Sequence, residues 1–113
     1  MSSGDENQFP VHWVSKSARY RVIELMLSTR SITELARVLG VSPTAVRKYV
    51  KRVSHPSDEI LATAIQRAEA YERDAIISLI IEDLAEAINK LYNAVDEKHK
   101  KEIREKLARI LGS

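Results

Sequence analysis

Between Ser57 and Leu111 the chain contains neither glycine nor proline. A stretch that long without a breaker cannot make the closely spaced turns of a β-sandwich or barrel. Its apolar residues recur at helical intervals instead. Ile60, Ala64, Ala68 and Tyr71 form one stripe, joined by Leu61 and Ile65. Ile77, Ile81, Leu84, Ile88, Leu91 and Val95 then alternate at spacings of four and three, a heptad seam broadened by Ile76 and Ile80. The expected fold is therefore all-α. Ser57 is placed to N-cap a helix whose first turn holds Asp58 and Glu59, which suits the helix dipole. The stretch 57–95 reads as one long helix, with a break near Arg73–Asp74 as the alternative. Asp96 can cap a last helix carrying Ile103, Leu107, Ile110 and Leu111 on one face. The chain is expected to turn back near 93–97 into an antiparallel hairpin.

Composition excludes several chemistries. There is no cysteine, hence no disulfide, thiolate metal site or cysteine nucleophile. His12, His55 and His99 are far apart and lack metal-ligand spacing, and no glycine-rich phosphate loop occurs. Glu69 with Glu72, and Asp83 with Glu86, are read as solvated charge rather than catalytic pairs. No enzyme activity, metal or cofactor is expected. No apolar run is long enough to span a bilayer, and Met1–Gln8 lacks the apolar core of an export signal. A cytoplasmic, nucleoid-associated protein follows.

The net charge of +2 conceals an asymmetry. From Ser15 to Ser54 nine basic residues face only Glu24 and Glu34, giving +7. The first fourteen residues carry −2 and the chain from His55 onward carries −3. The basic block calls for an anionic partner. The acid-rich remainder is expected to serve assembly.

Within the basic block the local signals are dense. Residues 1–14 read as a flexible tail in which Trp13 packs as a cap over the first helix. Ser15 or Ser17 opens that helix, which runs to about Ser28. Ser31-Ile32-Thr33-Glu34 has the form of a capping box. Leu35, Ala36 and Leu39 give the next helix an apolar face, and Gly40 can end it at positive φ. Val41 turns inward. Ser42 and Pro43 suit the N-cap and first position of another helix. Val46, Tyr49, Val50 and Val53 line one side of it, and Arg47, Lys48, Lys51 and Arg52 the other, to about Ser54.

The stretch Ile32–Lys51, ITELARVLGVSPTAVRKYVK, resembles the helix-turn-helix motif of DNA-binding proteins. Ala36 matches the small residue where the two helices cross, Gly40 the turn, Val41 the apolar residue after it, and Val46 the buried β-branched residue of the second helix. The resemblance covers about twenty residues, or about forty with the preceding helix. It implies double-stranded DNA as partner, with the helix Pro43–Val53 entering the major groove N-terminal end first. Arg47 is then the first choice for base readout, through two donors to a guanine edge, with Thr44 and Lys48 beside it. Ser31, Thr33, Ser42, Lys51 and Arg52 are expected on the DNA backbone. Lys16, Arg19, Arg21 and Arg30 extend the basic footprint as solvated side chains.

The domain plan expected is a tail at 1–14, a DNA-binding domain at 15–55 and a helical dimerisation or oligomerisation domain at 56–113. Function follows as a sequence-specific transcriptional regulator acting as a homodimer, or higher homo-oligomer, through residues 57–111. Similar layouts occur in small terminase subunits, in partition or chromosome-organising adaptors, and in the DNA-binding modules of recombinases and transposases. A protein-interaction module that does not bind DNA is the remaining alternative.

Overall fold

The computed structural model describes residues 9–112, and over these every regular element is a helix. A 3-10 turn, Val11–Trp13, precedes α1 (Lys16–Leu27), α2 (Ile32–Leu39), α3 (Pro43–Val50), α4 (Asp58–Arg67), α5 (Ala70–Ala94) and α6 (Glu97–Ile110). Ser15, Ser31, Ser42, Ser57 and Asp96 each accept, through a side-chain oxygen, the amide three residues on. Helix starts are thus set by short polar side chains that satisfy otherwise orphaned amides.

Two compact units divide within α5, between Asp83 and Leu84. The boundary expected between residues 55 and 56 is displaced because α4 and the first half of α5 supply core to the first unit. Leu61, Ala64, Ile65, Ile76 and Ile80 are buried there, with Val22, Ile23 and Met26 of α1, Leu35 and Leu39 of α2, and Val46 of α3. Each of these Val, Leu, Ile and Met side chains contributes about 1.5–3 kcal/mol on leaving water. The apolar face of α5 in this unit is therefore Ile76–Ile80, while Ile81 of the expected seam is exposed.

The long helix expected over 57–95 is broken at Ala68 and Glu69, earlier than Arg73–Asp74. Ala68 is extended, at ψ 149°. Two side chains supply the reason. The Glu72 carboxylate accepts the Glu69 amide at 2.9 Å, which opens α5, and the Arg73 guanidinium donates to the Ile65 and Gln66 carbonyls at 3.0–3.1 Å, which closes α4.

Of the expected tail, residues 1–8 lie outside the described residues, and the rest is anchored. Val14 is buried. Arg19, expected in solvent, is only 5% exposed. It donates to the carbonyls of Val14 at 3.0 Å, Val11 at 2.7 Å and Pro56 at 2.9 Å, and pairs with Asp58 at 2.8 Å. One guanidinium thus ties the 3-10 turn, α1 and the start of α4 together, using the fixed fork that lysine lacks. Trp13 does not cap α1: it is 70% exposed, with its ring edge-on to His12.

The second unit contains the end of α5 and all of α6. Arg104 donates to the Tyr92 hydroxyl at 2.6 Å, and Lys100 lies over the Tyr92 ring at 5.6 Å, so the two helices meet near the turn that Asp96 caps.

Candidate nucleic-acid interface

The interface is built on the turn between α2 and α3. Ser31 Oγ accepts the Glu34 amide at 3.1 Å, and the Glu34 carboxylate accepts the Ser31 amide at 2.8 Å, so the capping box is complete. Those bonds to Ser31 hold the Glu34 carboxyl below its ordinary pKa. At the other end of α2, Gly40 adopts φ 73°. The Val41 amide donates to Ala36 O at 3.0 Å and the Gly40 amide to Arg37 O at 3.3 Å, the two bonds of a Schellman motif. A Cβ at residue 40 would meet nothing within 4 Å, so the backbone dihedral alone demands glycine. Ser42 then caps α3 and Pro43 takes its first position. Ala36 and Val46 are buried where α2 meets α3, and Tyr49 closes the core beneath. Burial pushes the Tyr49 phenol pKa up.

With Val46 and Tyr49 facing inward, Thr44, Arg47 and Lys48 face solvent on α3, followed by Lys51 at its C-cap. The Arg47, Lys48 and Lys51 side chains make no hydrogen bond or ion pair among the described residues. Three other cations of the basic block are engaged by the fold. Arg19 is one. Arg30 is another: it forms a two-pronged pair with Glu72, one contact at 2.8 Å, and Thr29 Oγ1 adds a bond to the same carboxylate at 3.4 Å. Glu72, expected in solvent, is 1% exposed. The Arg30 guanidinium holds the Glu72 carboxyl below its ordinary pKa, and Glu72 in turn raises that of Arg30.

A family model described as a helix-turn-helix domain matches residues 18–55. Residues 18–55 are a helix-turn-helix domain. No curated protein and no solved structure matches the chain significantly.

Within the helix-turn-helix domain, the second motif helix is shorter than the expected Pro43–Val53. It ends at Val50 because Arg52 enters the left-handed region at φ 60°. The Arg52 amide donates to Tyr49 O at 3.0 Å and the Val53 amide to Lys48 O at 2.9 Å. This is a second Schellman closure, made without glycine. Val50 and Val53 are consequently exposed rather than part of the buried side. The Arg52 guanidinium pairs with Glu24 at 3.2 Å and lies over the Tyr20 ring at 4.9 Å. Of the expected backbone contacts, then, Lys51 and Thr33 are free and exposed, whereas Arg52 is engaged. The Ser31 and Ser42 hydroxyls accept amides as caps, which leaves each O–H proton available to a phosphate oxygen. Nothing in the sequence near Arg19, Arg30 or Glu72 marked them as internal, since their partners lie 39 and 42 residues away.

Among the described residues no helix is long and apolar enough to cross a membrane.

Proposed function

We propose that the protein is a sequence-specific transcriptional regulator that binds double-stranded DNA through its helix-turn-helix domain, acts as a homodimer in the cytoplasm on nucleoid DNA, and catalyses no reaction. The observation that carries this reading is the sorting of cations. Arg19 and Arg30 are paired inside the fold and Arg52 is paired at its surface, whereas Arg47, Lys48 and Lys51 are unpaired and cluster on the solvent side of the second motif helix; Lys16, Arg21 and Arg37 are unpaired too, but lie on the two preceding helices. An α-helix fits the major groove, and a face with free guanidinium and ammonium groups meets both base edges and phosphates there. In this reading Arg47 reads a base with Thr44 and Lys48, and Lys51, Thr33, Ser31 and Ser42 hold the backbone.

The test starts from selection of bound sequences out of a random duplex pool. A palindromic product with half-sites about one helical turn apart is expected. On that site Arg47→Ala should cost about 1–3 kcal/mol and relax preference at one base position. Lys51→Ala should weaken binding to all duplexes alike. Gel-shift titrations in which neither variant loses affinity contradict the assignment.

A further inference from the structure

No residue of the second unit is buried among those described, 84–112. Ordering a backbone costs conformational entropy at every residue, and a segment this short needs burial against a partner to offset it. The helix pair nevertheless carries a concentrated apolar surface. Ile88 and Leu91 of α5, Val95 of the following turn, and Ile103, Leu107 and Ile110 of α6 line a groove of about 370 Å³. We propose that a second copy of this chain fills the groove, so that two α5–α6 pairs close into a two-fold four-helix bundle. The proposal rests on the dimer reading above and narrows its surface from 57–111 to 84–110, because Leu61, Ala64 and Ile65 of α4 and Ile76 and Ile80 of α5 are already buried in the first unit.

The rim of the groove identifies the occupant. Glu102 and Lys106 both line it. They carry opposite charge and stand one turn apart on the same edge of α6. A two-fold axis crossing α6 between them sets Glu102 of each copy against Lys106 of the other. An interface between identical surfaces requires this reciprocity, residue i meeting j while j meets i. A different partner would have no need of a rim that complements itself.

Sedimentation equilibrium of the full chain at micromolar concentration tests the bundle. A dimer is expected. Glu102→Lys and Lys106→Glu each replace two attractive contacts by two repulsive ones and should weaken dimerisation at least about tenfold. The double variant Glu102→Lys/Lys106→Glu should return to within about threefold of the original. Circular dichroism of these surface variants, unchanged from the parent, separates loss of association from loss of fold. Leu107→Asp should leave a monomer. A monomeric parent, an assembly larger than two, or a double reversal that fails to restore the dimer overturns the proposal. Titrating the same samples with duplex DNA keeps the two readings apart. A monomer that binds DNA removes the bundle alone, and a charge-rescued dimer without DNA affinity removes the DNA reading alone.

Discussion

At Arg52 the chain makes the same left-handed closure as at Gly40, and pays for a Cβ that Gly40 lacks. The left-handed region costs an ordinary residue about 1–2 kcal/mol. Arg52 holds it at φ 60° because its own guanidinium is gripped by Glu24 and Tyr20. The two effects are separable. Arg52→Ala and Arg52→Gly both remove the grip, but only glycine removes the steric penalty. Arg52→Gly should therefore be more stable than Arg52→Ala by about 1 kcal/mol, measured by urea unfolding. Equal stabilities would show that the closure carries no strain. The sequence reveals Gly40 directly, because a glycine between two apolar helical runs has one obvious use. It conceals Arg52, since arginine has no intrinsic preference for that backbone and Glu24 lies 28 residues away.

Helix starts were legible for a local reason: each cap is a short polar side chain bonding an amide three residues on, so cap and helix are read in one window. The gap between α4 and α5 was not. No glycine or proline marks it, and alanine at 68 favours helix. What stops α4 is long-range. Glu72 is drawn to Arg30, bonds the Glu69 amide, and so begins a new helix where the pattern alone would continue the old one. Element length here is a consequence of one buried ion pair. Removing one partner of such a pair leaves an uncompensated charge, so Glu72→Gln should lose about 3 kcal/mol at pH 7. The sign of its pH dependence follows from the direction of the shift. The Glu72 carboxyl is held below its ordinary value of 4.5, so its stabilisation is complete above that value and is lost as pH falls through the lowered one. The stability difference between parent and Glu72→Gln should narrow from pH 7 to pH 3 in urea titrations. A difference that does not change with pH contradicts the pairing.

The charge of the whole molecule divides differently from what the linear sequence suggests. Seven acidic and two basic residues lie between 58 and 83, within the same compact unit as the basic block, and the second unit is mildly basic with seven cations against five anions. The acids are thus not an assembly half. Asp58 answers Arg19, Glu72 answers Arg30, and Asp83 accepts the Ser15 amide at 2.9 Å and its hydroxyl at 2.5 Å. These contacts all fall on residues 15–30, and none reaches Arg47, Lys48 or Lys51. Internal neutralisation therefore leaves Arg47, Lys48 and Lys51 free together on the face of the second motif helix, while Lys16, Arg21 and Arg37 are free on the earlier helices. Binding through that patch has a measurable signature. Each phosphate neutralised on duplex DNA contributes about −0.9 to the slope of log affinity against log salt. Lys51 on phosphate in each of two protomers contributes a slope near −2, a loss of about tenfold between 50 and 200 mM salt. A single protomer contributes about −1. Lys51→Ala in the dimer should reduce the magnitude by about 2, one unit per protomer. Fluorescence anisotropy across a salt series decides it. A slope near zero would mean that the patch does not meet DNA phosphate, and an unchanged slope in Lys51→Ala would place the contact elsewhere on the domain.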